Sequence, residues 1–307
     1  MSKYYYCIDV GGTDIKAGIV DDKNNIITRS KTPTKTFFEK TSLAETLFEI
    51  MKSLESSTGL LVNKASGIGI GLPGLVDDSA GIIKYINSLK IKNYNIREDF
   101  KKYTSVPVRL ANDAELATLA EFRLGAGKGY NNLAMLTLGT GIGSGIIVDG
   151  KPLRSSMPFA CELGHISITQ DENESFERLA STKALVNQTR EAMENNTSSK
   201  MWQTYTPETV SGKTVFEYKD IDKTANDVFE RYIRFLGTGV VTVYNIFTPE
   251  VIVIGGGVSG QKSALIKPLT EYVNSHIFTR NIGQKVKIIS AKFMNDAGIL
   301  GARCLFN

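Results

Sequence analysis

Two glycine-rich stretches, each entered from a run of strand-type residues, restrict what this chain can fold into more than any other feature. The first is Asp9-Val10-Gly11-Gly12-Thr13, at the end of the aromatic and β-branched run 4–10. The second is Leu138-Gly139-Thr140-Gly141-Ile142-Gly143-Ser144-Gly145, at the end of the run 133–138. Glycines at a strand end make tight turns whose backbone N–H groups can approach an anion, and Thr or Ser hydroxyls add donors. Between the two lies Asn112-Asp113, an acid after a third strand-like run, 106–110. Strand, glycine turn, strand thus occurs twice. That repeat predicts two lobes of similar topology, each with one phosphate-sized loop. Taken singly, each turn also has a plainer reading, because Gly-Gly is a favoured hairpin turn.

The first turn leads into strands at 15–20 and 26–30, a three-stranded meander. Leu43, Leu47, Ile50, Met51 and Leu54 recur at helical spacing. Ser42 and Glu45 make a capping-box pair, so 42–56 is predicted helical, with Gly59 as its stop. Strands are expected at 66–71 and 106–110, and a helix at 114–124. The second turn leads to a strand at 146–148. A helix at 227–244, a buried strand at 251–254, a strand at 286–290 and a terminal helix at 295–305 complete the reading. The polar stretch 171–222 is hard to assign, and 194–200 reads as a loop. Gly255-Gly256-Gly257 either lets a flat group such as adenine or ribose approach the backbone or is the entry loop of an α/β unit.

Composition narrows the function classes. At 307 residues the chain suits two lobes, and 42% hydrophobic with 22% charged residues is a globular profile. Net charge is +4, from 36 basic and 32 acidic residues. It is dispersed, with Lys101-Lys102 as the longest basic run, which argues against nucleic-acid binding. Cys7, Cys161 and Cys304 are odd in number and far apart, so reduced thiols are expected rather than a disulfide framework. No signal-like leader or membrane-length apolar stretch is apparent, and a cytoplasmic protein without membrane contact is expected. Neither glycine turn matches a Walker loop or the dinucleotide G-x-G-x-x-G pattern.

The polar residues at these turns have candidate chemistry. Asp9, ending a buried strand, is placed to hold Mg²⁺ through water, or to satisfy backbone N–H groups. Asn112 and Asp113 are helix-capping types, and Asp113 also suits the base that phosphoryl transfer requires. Glu162 and His165, in Glu162-Leu163-Gly164-His165, suit the hydroxyls of a polyol. Zinc competes for them, with Cys161 adjacent, but no Cys-x-x-Cys is present to complete a site.

Seven motifs occur in order: Asp9 to Thr13, Gly69-Ile70-Gly71-Leu72-Pro73-Gly74, Asn112-Asp113-Ala114, residues 138–145, Glu162 to His165, Gly255 to Gly257, and Asn295-Asp296-Ala297-Gly298. Together they resemble the ROK family of sugar kinases, within the sugar kinase/Hsp70/actin superfamily, over essentially the whole chain. The resemblance implies an α/β fold of two ribonuclease-H-like (actin-like ATPase) lobes, with ATP, Mg²⁺ and a hexose in a central cleft. It sets the lobes at 1–113 and 114–295, with a helix at 296–307 packing back on the first. It implies an ATP-dependent kinase acting on a sugar 6-hydroxyl, with Asp113 as catalytic base. Gly74, Asn87, Asn112, Glu162, His165 and Glu177 would bind the sugar, the last within the segment Glu177-Arg178-Leu179-Ala180-Ser181. Asp9, Gly11, Gly12, Thr13, Lys16, Gly139, Thr140, Gly141, Gly255, Gly256 and Gly257 would serve ATP, with Asp9 also facing Mg²⁺.

One departure stands out. Many family members carry a cysteine cluster between the Gly-His pair and the glutamate, binding structural zinc. Here the interval 166–176 contains no cysteine, so no zinc is expected and substrate choice is open. N-acetylmannosamine, glucose and a β-glucoside disaccharide are the candidate sugars, and a homodimer is expected. The family also contains sugar-responsive repressors, whose DNA-binding domain precedes the first phosphate loop. With that loop at Asp9, a kinase is expected rather than a repressor or a non-catalytic sugar sensor.

Overall fold

The computed structural model describes residues 3–35, 42–155, 161–171 and 173–306. The chain divides into two compact units. The first comprises Met1–Arg123, Arg154–Ala160 and Asn295–Asn307; the second comprises Leu124–Leu153 and Cys161–Met294.

In the first unit, β1 (Tyr4–Val10), β2 (Asp14–Asp21) and β3 (Ile26–Pro33) form the expected antiparallel meander. Helix α1 (Leu43–Thr58) begins where Ser42 accepts the Glu45 N–H at 3.1 Å and stops at Gly59, whose φ is 72°. Then come β4 (Gly67–Leu72), β5 (Leu75–Asp77), β6 (Ile82–Ile86), β7 (Ile91–Tyr94), α2 (Ile96–Phe100), β8 (Val108–Asn112) and α3 (Asp113–Leu124). The main sheet runs β3-β2-β1-β4-β8, with β1, β4 and β8 parallel. Its core joins Tyr6, Ile8, Ile15, Ile19, Ile68 and Ile70 of the sheet to Leu43, Leu47 and Met51 of α1, all fully buried. The hydroxyls of Tyr4 and Tyr6 donate to the carbonyls of Leu61 and Leu60, which fixes the connection after α1.

The second unit repeats this plan. β9 (Leu133–Leu138), β10 (Ile142–Val148) and β11 (Lys151–Pro152) are antiparallel neighbours. α4 (Phe176–Ala180), α5 (Thr182–Asn195), α6 (Thr214–Tyr218) and α7 (Lys223–Phe247) follow, then β12 (Val251–Gly256), α8 (Ser263–His276) and β13 (Lys287–Ser290). β12 runs parallel to both β9 and β13, so the order β11-β10-β9-β12-β13 matches that of the first sheet strand for strand. The last helix, α9 (Ala297–Cys304), belongs to the first unit and packs on β1 and β4.

Three readings change. β10 begins at Ile142 rather than at 146, because Gly143 and Gly145 pair in register with Thr137 and Met135. Only Gly139, Thr140 and Gly141 are left to make the turn. The unassigned stretch 171–222 holds α4, α5 and α6. The first unit extends to Arg123 rather than ending at 113. Its helix α3 stays with it because Leu116, fully buried, packs on Gly71 of β4.

Candidate active site

The first unit gathers its candidate residues at one edge of its sheet. Strand pairing sets Asp9 beside Gly71, and Leu72 beside Asn112, so β1, β4 and β8 end together. The carboxyl ends of parallel strands are where open α/β sheets bind ligands. Asp9 faces Lys16 directly across the β1–β2 pair. Burial raises the Asp9 carboxyl above its ordinary value, and the Lys16 charge pulls it part of the way back. Among the described residues no hydrogen-bond donor reaches the carboxylate. Gly298 of α9 abuts it so closely that a Cβ there would lie 2.4 Å from Oδ2. A half-buried acid with one lysine and no donor fits a cation or its water shell.

The turn after Asp9 is clamped from β3. The Gly11 N–H donates to the Asp14 carbonyl at 2.9 Å. Thr34 donates its hydroxyl to the Gly11 carbonyl at 2.7 Å and its N–H to the Thr13 carbonyl at 2.8 Å. Gly12 and Thr13 are left exposed. Thr34 has no local sequence signal, because its partners lie two strands away.

Asp113 opens α3, and its Oδ1 accepts the Ala114 N–H at 2.8 Å. Asn112 Oδ1 accepts the same N–H at 2.8 Å, while its Nδ2 donates to the Gly74 carbonyl at 3.1 Å. The pair therefore caps the helix, as its residue types predict, and also ties the end of β8 to the loop after β4. Gly74 has φ 108°, a conformation other residues rarely adopt, with the Tyr85 carbonyl packed against it. Asn87 is exposed in the β6–β7 turn, where its Oδ1 accepts the Tyr85 hydroxyl at 2.9 Å. The small sheet β5-β6-β7 is secured by Asp78. Its carboxylate accepts from Arg97 and Leu110 at 2.8 Å each and from Arg109 at 2.7 Å. Sequence reasoning passes over Asp78, since its partners are distant in the chain.

In the second unit the turn between β9 and β10 spends its Gly139 N–H on the Gly141 carbonyl, 2.9 Å away, and leaves Thr140 exposed. The start of α5 closes on this turn: Thr182 donates to the Leu138 carbonyl at 2.9 Å, and the Lys183 N–H to the Gly139 carbonyl at 3.3 Å. Glu177 of α4 lies under the turn. Its Oε2 accepts the Ile142 N–H at 3.3 Å, and a Cβ on Gly141 would sit 2.4 Å from that oxygen. Its Oε1 is 3.9 Å from Nδ1 of His165. Glu177 thus bridges the glycine turn and the Glu162–His165 segment, a link that spacing alone does not reveal.

Glu162 and His165 are both exposed on a short 3₁₀ turn. That turn is anchored by Ser144, whose hydroxyl donates to the Cys161 carbonyl and accepts the Leu163 N–H at 3.1 Å. Cys161 has φ 62°, a strained value for a non-glycine residue, which aims the segment that follows. Gly255 and Gly256 pair with Thr137 and Leu138, which sets the triple glycine beside the turn. Gly256 has φ 85°, and a Cβ there would lie 2.1 Å from the Leu138 carbonyl oxygen. Among the described residues no three His, Cys, Asp or Glu side chains cluster to hold a metal.

Comparison with known proteins decides the family. The ROK family's sequence profile matches residues 5–307. The chain belongs to the ROK family. The Halalkalibacterium halodurans glucokinase is 29% identical over 313 residues, covering 97% of this chain and 93% of that protein. The Thermotoga maritima glucokinase is 30% identical over 305 residues, covering 96% and 94%. The family reaches beyond kinases: a xylose repressor of Caldicellulosiruptor bescii is 26% identical over 272 residues, covering 86% of this chain and 68% of the repressor. Among solved structures, a ROK family glucokinase from Streptomyces griseus, in complex with glucose and AMPPNP, superposes with a TM-score of 0.82 at 25% identity, covering 98% of each chain. The two-lobe actin-like α/β fold is that of these ROK kinases.

Proposed function

We propose that this protein is an ATP-dependent sugar kinase that phosphorylates the 6-hydroxyl of a hexose, with glucose and N-acetylmannosamine as leading substrates and a β-glucoside as the alternative. The observation that carries this reading is the shared sheet edge of the first unit. There a half-buried carboxylate without a donor among the described residues, Asp9, lies at the end of β1, and Asn112-Asp113 lies at the end of the parallel strand two places over.

In this reading Asp113 accepts the proton of the attacking hydroxyl as the new O–P bond forms and the bond to ADP breaks. Asn112, held to the Gly74 carbonyl, keeps the carboxylate and the sugar loop in register, and Asn87 adds a contact from its hairpin. Glu162, His165 and Glu177 are the further sugar ligands. Gly11, Gly12, Thr13 and Lys16, with Gly139, Thr140, Gly141 and Gly255–Gly257, orient ATP. Their part is positioning and charge stabilisation, the main requirements of phosphoryl transfer. Asp9 would hold Mg²⁺ through water, and that ion would offset the charge of the phosphates.

Zinc has no part in this reading; zinc bound at one equivalent per chain and resistant to chelation would overturn that point. No helix among the described residues is long and apolar enough to cross a membrane. We read the protein as a cytoplasmic homodimer that binds neither nucleic acid nor membrane, with light scattering expected to give twice the chain mass. The activity itself is tested by coupled ADP release across a panel of hexoses, N-acetylhexosamines and β-glucosides. ATP turnover that rises with one class of sugar is expected. Sugar binding without any sugar-stimulated turnover would make the protein a sensor instead.

A further inference from the structure

Away from every residue assigned above, a groove in the second unit has a volume of about 350 Å³ and is lined by Ala192, Thr224, Asp227, Val228, Arg231 and Arg234. Ala192 lies on α5 and the others on α7, at spacings of three or four residues that bring them onto one helix face. The small side chains Ala192 and Val228 leave the space open, and the polar groups surround it. The Nε of Arg231 is buried and has no hydrogen-bond partner among the described residues. A buried guanidinium N–H without an acceptor is costly, so the groove is short of one. Asp227, the one acid in the lining, is paired at 2.6 Å with Lys223, which lies outside the lining and offsets its charge. A volume in the small-molecule range is larger than a bare phosphate needs.

We propose that this groove binds a compact organic phosphate, with Arg231 as the central donor and Arg234 and Thr224 as flanking contacts. Planar guanidinium groups suit phosphate oxygens better than point charges do. The assignment is independent of the kinase reading, because none of the residues given to ATP or sugar lines the groove.

The chain carries its own reporter. Trp202, the one tryptophan, donates its Nε1 to the carbonyls of Met193 and Asn196 at 3.1 and 3.2 Å. Asn196 in turn donates to the Thr224 hydroxyl at 2.7 Å, so the indole is two hydrogen bonds from the lining. Tryptophan fluorescence of the full-length protein would be followed during titration with inorganic phosphate, glucose 6-phosphate and glucose, at low and high salt. Saturable change with both phosphates and none through this groove with glucose is expected, with glucose 6-phosphate binding more tightly. Arg231→Gln should weaken both responses about 10–100-fold, the loss expected of a charged hydrogen bond, while leaving turnover without added phosphate unchanged. Arg231→Lys should restore part of the response. Phosphate responses of equal strength in wild type and R231Q would overturn the proposal, as would the absence of any response, confirmed by calorimetry.

Discussion

The two glycine turns start from the same strand–turn–strand pattern and are finished in different ways. In the first unit the acid precedes the turn on its own strand. Asp9 is half-buried beside Lys16, meets no donor among the described residues, and the turn is held by Thr34 through backbone carbonyls. In the second unit the acid comes from elsewhere in the chain. Glu177 reaches in from α4, accepts the Ile142 N–H and lies against Gly141, while α5 closes on the carbonyls of Leu138 and Gly139. In the proposed reading the first turn keeps a carboxylate available for a cation, whereas the carboxylate under the second also braces the turn itself. Similar topology therefore does not imply similar chemistry, and the acids should respond differently to substitution.

The largest contrast is expected at Asp9. Asp9→Asn should lower kcat/KM about 10²–10³-fold, as when one preorganised charge contact to the reacting groups is removed. The same change should raise the thermal midpoint measured without Mg²⁺. An acid whose folded pKa is raised by burial lowers stability once the pH exceeds the unfolded value, and the amide removes that penalty at neutral pH. A midpoint that falls would mean that Asp9 has a structural partner and that the contrast between the turns is wrong.

Gly256→Ala should destabilise the protein by about 2–3 kcal/mol, because φ 85° is unfavourable with a Cβ and that Cβ would meet the Leu138 carbonyl. Urea unfolding would measure it, and an effect near zero would show that the triple glycine yields easily. Gly141→Ala displaces the Glu177 carboxylate and leaves the Ile142 N–H without its acceptor. It should raise KM for ATP about tenfold, ~1.4 kcal/mol, with a smaller change in kcat. If Glu177 acts on the sugar alone, the KM for sugar will move instead.

The smallest effect concerns the helix that supports this second site. Asp222 caps α7, accepting the Ala225 N–H at 2.8 Å, the Ser199 hydroxyl at 3.0 Å and the Lys200 N–H. Burial acts to raise its pKa, but these donors outweigh it and hold the carboxyl below its ordinary value. A carboxyl lowered in this way stabilises the fold above its unfolded pKa, and the benefit disappears as pH falls through the folded value. Asp222→Ala should therefore cost about 1 kcal/mol at neutral pH and converge with wild type in acid. Parallel unfolding curves at all pH values would contradict the capping role.

How much of this was legible follows from how local each signal is. Both meanders, α1 with its Ser42 cap and Gly59 stop, and the acid after β8 are written in adjacent residues. The β5-β6-β7 sheet has no clear sequence signal because its strands are short and broken by Ser79-Ala80-Gly81 and by Asn87-Ser88. α5 has a weak apolar signal because its few buried residues, including Leu185 and Met193, are diluted by Lys183, Asn187, Gln188, Arg190, Glu191 and Glu194. α8 was obscured by Pro268, which lies within the helix. At the site, the order of the motifs pointed to the candidates. The contacts of Gly298 with Asp9, of Thr34 with the first turn and of Glu177 with the second join residues far apart in the chain, and no spacing rule encodes them.

The central claim is that Asp113 takes the proton from a sugar hydroxyl during phosphoryl transfer. The most direct measurement is steady-state turnover of Asp113→Asn beside its sugar affinity by calorimetry, using the sugar that best stimulates the wild type. Loss of a general base predicts kcat lower by about 10²–10⁴-fold, with sugar affinity within a few-fold of wild type because the amide keeps the cap on α3. Turnover within a few-fold of wild type at unchanged affinity would contradict the account.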